Sequence, residues 1–196
     1  MSTYYEKIFE KNRYNARDAA MKSRAWFQQQ MTLLGKQSIQ PMRMIKSSSE
    51  KNTTRVLPGQ MYLFMYEPKT QDSLPYWDQF PLVFPFRKLP DGFIGLNMHY
   101  LPYPLRIKLL DRLMEFKNNN RLDETTKLKF SWNLIQGISR LRIAEPCVHR
   151  YLMSHLKSPM KRVDSADWAS ALMLPVERFV GASRQQVWSE STSRIR

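Results

Sequence analysis

Three histidines and one cysteine are the residues of this chain best suited to catalysis or metal binding. A metal site needs several His, Cys or carboxylate side chains that converge on one point. His149 and His155 lie six residues apart, and at roughly 100° per residue this spacing directs them to different faces of a helix. Cys147 and His149, two residues apart, also diverge. The spacing therefore disfavours a metal site.

The cysteine has no catalytic signature around it. Cys147 follows Pro146 near the start of a predicted helix, where the helix dipole could lower the pKa of the thiol. Since no cysteine-protease motif surrounds it, we interpret it as a semi-buried structural thiol. A single cysteine cannot form an internal disulfide, and we expect a protein made in a reducing compartment.

Motifs for phosphate binding and for metal-dependent hydrolysis are missing from the sequence. It contains neither GxGxxG nor GxxxxGK[ST]. The acidic pairs Asp72 with Asp78 and Asp164 with Asp167 are sparse for a nuclease that holds Mg²⁺, and they suit turns and caps better. We predict a protein that is not an enzyme and has no cofactor and no small-molecule substrate. A metal-dependent nuclease is a third alternative, testable by DNA cleavage with and without Mg²⁺.

His99 lies in the segment GLNMHYLPYPLR, residues 95–106. Apolar and polar residues alternate from about 93 to 100, which predicts a strand that places His99 beside Asn97 on its more polar face. The chain then turns into a helix near Pro104, a residue suited to the first helical turn. We interpret His99 as a structural or interface histidine.

Further elements follow from the pattern of apolar residues and breakers. The runs 60–66 and 80–86 predict strands, and Pro81 and Pro85 confine the second to an edge or a broken strand. Helices are predicted over 104–117, after a cap at Asp123, and over 146–157, and a last strand over 169–174. These elements predict an α+β body over residues 56–188: a small curled antiparallel sheet or partly open barrel braced by about three helices.

The remaining parts of the chain are basic or polar. Residues 1–34 predict a helical arm with one basic face, residues 35–55 a basic, serine-rich linker, and residues 189–196 a polar tail. The formal net charge of +14 implies a negative partner, either nucleic acid, acidic protein or an anionic membrane. No apolar run approaches the roughly 18 residues of a membrane span. Candidates for contact with DNA or an acidic partner are Arg13, Arg17, Lys22, Arg24, Arg43 and Lys46.

Three segments carry a resemblance to a known family. They are PGQMYLFMYEPKTQDSLPYWDQFPLVFPF, DGFIGLNMHYLPYPLRIKLLDRL and ADWASALMLPVERFVGAS, within residues 56–188. Together they resemble a family of small proteins encoded by large contractile-tailed bacteriophages. The resemblance implies a virion structural protein, associated with assembly of the tail or baseplate.

We therefore hypothesise a non-enzymatic component of the phage particle, assembled in the host cytoplasm, that binds several other phage structural proteins. Its arm and an aromatic, proline-rich edge would contact neighbouring subunits. The candidate interface residues are Trp26, Phe27, Tyr62, Tyr66, Tyr76, Trp77, Phe80, Phe86 and Trp188. The alternative is a DNA-binding accessory protein that acts in genome packaging or protects DNA ends. No recognisable DNA-binding module is present, and the spread of charge along the chain suits nonspecific phosphate contact.

Overall fold

Short strands rich in aromatic and branched residues pair with one another, while leucine- and alanine-rich segments form helices. A computed structural model describes residues 40–46, 52–117 and 121–195. The strands are β1 Asn52–Thr53, β2 Met61–Leu63, β3 Trp77–Asp78, β4 Leu82–Leu89, β5 Gly92–Asn97, β6 Val148–Leu152, β7 Met160–Val163 and β8 Phe179–Val180. The helices are α1 Pro41–Lys46, α2 Tyr103–Lys117, α3 Glu124–Ile138, α4 Trp168–Met173 and α5 Arg184–Ile195. Within these residues every helix is too short or too polar to cross a bilayer.

Six of the strands form one antiparallel sheet, in the order β1-β7-β2-β4-β5-β6. Strands β3 and β8 form a separate antiparallel ribbon. The predicted α+β class with an antiparallel sheet is confirmed, and within the described residues the sheet does not close into a barrel.

The two faces of the sheet bury two hydrophobic clusters. Alternation along each strand sends Leu63 and Phe84 toward the larger cluster, where the Phe84 ring meets Trp168 of α4 edge-on at 5.0 Å. Tyr62 and Phe64 belong to the smaller cluster on the other face. Burial on both faces explains why the inner strands β2 and β5 contain no charged residue.

Helix α2 has nearly its predicted bounds, and helix α3 begins directly after its predicted cap. Asp123 caps α3 by accepting a hydrogen bond from the Thr126 N–H at 2.9 Å, as the sequence predicted. The indole of Trp132 on α3 donates to the Phe86 carbonyl at 2.9 Å and thereby ties this helix to β4.

Strand β4 lies inside the sheet, between β2 and β5, so of the two predicted alternatives, an edge strand or a broken strand, the edge strand is excluded. Along β4, strand β2 pairs only with Leu82 and Val83, so the missing N–H of Pro85 leaves no gap in that ladder. The register with β5 shifts between Pro85 and Arg87, which is the break that the prolines predicted.

Two predictions in the second half are wrong in element type. Residues 148–152 form strand β6 instead of continuing a helix from 146 to 157, because their apolar spacing fits both periods and pairing with β5 decides the outcome. Residues 168–173 form helix α4 instead of a strand, in keeping with the high helix propensity of Ala, Leu and Met.

The ends of the body also differ from the predicted layout. In the predicted linker, Ile45 of α1 is buried in the larger cluster and β1 pairs with β7. The predicted polar tail continues helix α5 to Ile195. The predicted arm over residues 1–34, with Trp26, Phe27, Arg13, Arg17, Lys22 and Arg24, lies outside the described residues.

Candidate functional site

The buried carboxylate of Asp78, on strand β3 of the β3–β8 ribbon, takes part in four hydrogen bonds. Its Oδ1 accepts from the backbone N–H groups of Phe80 at 3.1 Å and Arg178 at 3.3 Å. Its Oδ2 accepts from Asn97 Nδ2 at 3.1 Å and lies 2.7 Å from His99 Nδ1. Asp78 therefore joins both strands of the ribbon, at one end, to strand β5 and the turn that follows it.

His99 sits in a 3₁₀ turn, Met98–Tyr100, and not in the predicted strand. Its carbonyl accepts hydrogen bonds from an Arg106 terminal nitrogen at 3.0 Å and from Trp188 Nε1 at 2.8 Å. His99 thus links the ribbon to α2 and α5. These contacts fit a structural histidine, and the structural or interface role of His99 stays a prediction.

An aspartate paired with a histidine is also a common arrangement for general acid–base catalysis. Here both side chains of the Asp78–His99 pair are closed to solvent, with exposures of 1% and 0%. The second ring nitrogen, Nε2, has no hydrogen-bond partner in the described part of the chain. A substrate could reach the imidazole only if the fold opened, so the arrangement positions the ribbon.

Arg106 is a fully buried cation that the sequence analysis did not single out. Besides His99, its guanidinium donates to the carbonyls of Leu101 at 2.7 Å and Leu172 at 3.1 Å, and it lies 3.7 Å from Glu177 Oε2. A buried cation needs such partners to offset its desolvation. Helical periodicity could have revealed it, because Arg106 lies three, four and seven residues before the buried Leu109, Leu110 and Leu113 and so shares their face of α2.

The ribbon presents one face to the core and the other to solvent. Asp78 and Phe179 are cross-strand partners that face inward, since Asp78 is buried and the Phe179 ring packs edge-on against Tyr100 at 5.1 Å. Side chains alternate along a strand, and directly paired residues share a face. The neighbouring pair, Trp77 and Val180, therefore faces outward.

An exposed cation completes this outward surface. Arg178 lies two residues before Val180, so it points to the same side. Its backbone is fixed, because its N–H donates to Asp78 and its carbonyl accepts from the Gln79 N–H at 2.8 Å. Its guanidinium meets no carboxylate in the described residues. We call Trp77, Arg178 and Val180 the outer face of the ribbon.

Cys147 and His149 lie close to this centre but are held uncharged. Burial raises the pKa of the Cys147 thiol to about 12, the opposite of the shift that a helix dipole would give, since Cys147 ends a 3₁₀ turn. Burial also lowers the pKa of His149 to about 4, although its Nε2 contacts the Pro146 carbonyl at 2.9 Å. Both groups are neutral at pH 7, which fits structural roles.

Many surface cations have no carboxylate partner within the residues that the structure describes. Three others are neutralised by ion pairs, Arg150–Asp91, Lys157–Glu67 and Arg162–Asp164. The exposed cations without such a partner include Arg87, Lys88, Lys129, Arg140, Arg142 and Arg178. They occupy β4, α3, the turn after α3 and the ribbon, so positive charge covers several faces.

The predicted interface residues have different locations. Tyr62, Tyr66 and Phe80 are buried within the chain, where they cannot reach a neighbour, and core packing explains their aromatic character. Phe86, Tyr76 and Trp188 are half-buried against the core or the Asp78 centre. Trp77 is partly exposed on the ribbon, and Arg43 and Lys46 are exposed on α1.

Comparison with models of protein families supplies a match to residues 2–192, which is nearly the whole chain. The matched model is described as the phage T4 terminal DNA protecting protein. The chain belongs to this family. No curated protein and no solved structure matches it.

Membership of the phage T4 terminal DNA protecting protein family supports the predicted phage family and corrects the predicted role. A tail or baseplate structural protein is contradicted. The family's description agrees instead with the alternative, a protein that protects DNA ends. Basic charge and aromatic residues that can bind a partner suit both roles, so composition could not distinguish a tail or baseplate protein from a protein that protects DNA ends.

Proposed function

We propose that this protein binds the ends of linear phage DNA and protects them by occlusion, without catalysing a reaction. The observation that carries the proposal is the family match over residues 2–192. The net charge of +14 and the exposed cations without carboxylate partners support it, because cations that neutralise phosphates release counterions and so favour binding.

Protection by occlusion requires only that the protein remain on the end longer than a nuclease needs to engage it. Phosphate contacts give affinity without reading the base sequence. A protein that protects any end of its genome benefits from such contacts. The spread of cations over several faces suits a protein that contacts both strands near the end.

The test is a protection assay with the full chain. Linear duplex DNA is incubated with the protein and then with an exonuclease that requires a duplex end, and the remaining full-length DNA is measured. We expect protection at low salt that declines as salt rises, in parallel with the binding affinity. No retention of DNA at low salt, or retention without any protection, would refute the proposal.

Charge variants connect this assay to the surface. Arg140→Ala with Arg142→Ala removes two exposed cations that have no carboxylate partner in the described residues. We expect the slope of log affinity against log salt to fall by about two. The matched control is Asp91→Ala with Arg150→Ala, which removes an exposed ion pair and leaves the net charge unchanged. It should leave the slope close to that of the unaltered protein.

A further inference from the structure

We propose that the outer face of the β3–β8 ribbon recognises the DNA end itself, with Trp77 stacking on the exposed face of the terminal base pair. This inference rests on the proposed binding of DNA ends. It assigns one task to the surface formed by Trp77, Arg178 and Val180, which is to distinguish the end of a duplex from its interior.

Trp77 differs from the other tryptophans in the described residues. Trp132, Trp168 and Trp188 each donate their indole N–H to a backbone carbonyl, at 2.9, 3.0 and 2.8 Å. In the same part of the chain, Trp77 makes no such bond and its ring contacts no other ring. A large aromatic side chain placed at a surface without a partner for its polar atom is characteristic of a binding position.

The surroundings of Trp77 extend this apolar surface. Val180, its cross-strand partner, is 41% exposed, and Leu74, three residues before it, is 40% exposed. A Cβ on Gly181, which has a φ of +89°, would lie 2.6 Å from the Pro75 carbonyl oxygen. This close approach brings the segment after Val180 against the segment that carries Leu74. Two of the four large hydrophobic residues that are exposed in the described part of the chain therefore lie at one end of the ribbon.

A duplex end presents what this surface can bind. Inside a duplex both faces of every base pair are covered by stacking, whereas a terminal pair exposes one apolar face beside negatively charged phosphates. An aromatic ring can stack on any base, so this contact would need no particular sequence. Arg178, on the same side of the ribbon, is placed to meet a terminal phosphate. Cations elsewhere on the surface bind ends and interior alike.

The ribbon is also pre-organised for such a contact. The four hydrogen bonds to Asp78 hold the backbone on the inner side of the ribbon, directly behind Trp77 and Arg178. A surface that is already ordered loses less entropy when it binds. Asp78 and His99 are therefore positioning residues for the proposed contact.

The experiment measures the preference of the full chain for ends. A labelled blunt duplex is competed with closed circular DNA, or with an equal mass of the same DNA cut into blunt fragments. The end preference is the concentration of closed circular DNA that displaces half of the labelled duplex, divided by the concentration of blunt fragments that does the same. We expect Trp77→Ala to lower this preference about tenfold, the effect of losing one base–aromatic stacking contact. Trp77→Phe should retain most of it.

The matched control is Leu141→Ala, which truncates another exposed hydrophobic residue, 54% exposed, in the turn after α3. It should keep the full preference. Each variant is first checked for an unchanged circular dichroism spectrum and unfolding temperature, and binding to the closed circle should be unchanged in Trp77→Ala. If Trp77→Ala kept the end preference of the unaltered protein, the role of the ribbon would be refuted while end binding stood. If the unaltered protein itself showed no preference for ends, the proposed binding of DNA ends would be refuted, and the role of the ribbon with it.

Discussion

Replacement of Asp78 is the most direct test of the buried centre that supports the ribbon. Asp78→Ala removes the acceptor of two backbone N–H groups, of Asn97 and of His99. An unsatisfied buried donor costs about 1–3 kcal/mol, and removal of one partner from a buried pair about 3–5 kcal/mol. These costs are not additive, so we expect the free energy of unfolding to fall by about 4 kcal/mol.

Asp78→Asn separates the loss of charge from the loss of an acceptor. The asparagine keeps one oxygen for the two backbone N–H groups, and His99 can accept from the new amide if its proton moves to the other ring nitrogen. The Asn97 amide nitrogen then faces the amide nitrogen of the new side chain, and its hydrogen bond is lost because both groups are donors. Because only this one hydrogen bond is lost, the expected cost is about 1–2 kcal/mol.

The assay is equilibrium unfolding in urea. With a slope of about 2 kcal/mol per molar urea for a protein of this size, Asp78→Ala should lower the midpoint by about 2 M. Asp91→Ala is the control, since the Asp91–Arg150 pair is solvent-exposed and such pairs contribute less than about 1 kcal/mol. The reasoning is refuted if Asp78→Ala shifts the midpoint no further than this control does.

Two further predictions concern stability. Because burial lowers the pKa of His149 from 6.5 to about 4, the unfolded chain takes up a proton in this range that the folded chain does not. Acidification from pH 6.5 to 4 should therefore cost at most about 3 kcal/mol through this residue, and urea titrations of His149→Gln should show a weaker pH dependence. Gly59→Ala should cost about 2–3 kcal/mol in the same assay, because φ is +83° and the new Cβ would lie 2.9 Å from two backbone atoms of α3. A change below about 0.5 kcal/mol would contradict the close packing of this turn against α3.

Much of the fold could be predicted from the chain alone because several elements carry strong local signals. Asp123 precedes a helix with a regular apolar stripe, and the structure places it at the cap. The errors fall where local signals conflict. In residues 148–152 the apolar spacing suits a helix or a strand, and a free edge of the sheet decides for the strand.

The candidate site was less accessible to prediction than the fold. Trp77 appeared among the interface candidates, but so did Tyr62 and Phe80, which the core encloses. Aromatic residues serve equally in cores and at surfaces, so their type alone cannot separate the two. Arg178 carried no signal, because a single arginine near a turn is typical of any basic protein.

The sequence by itself determined the class of fold, the strong positive charge and, through the family it matches, the link to protection of DNA ends. Fold class and charge depend on composition and local periodicity, whereas the family match depends on the order of residues along nearly the whole chain. Only the tertiary structure decided which side chains meet. Asp78 and His99, separated by 20 intervening residues, become partners because the ribbon folds over the end of β5. The same long-range pairing of β3 with β8 turns Trp77 and Arg178 toward solvent, since contacts between distant segments determine which face of a strand is covered.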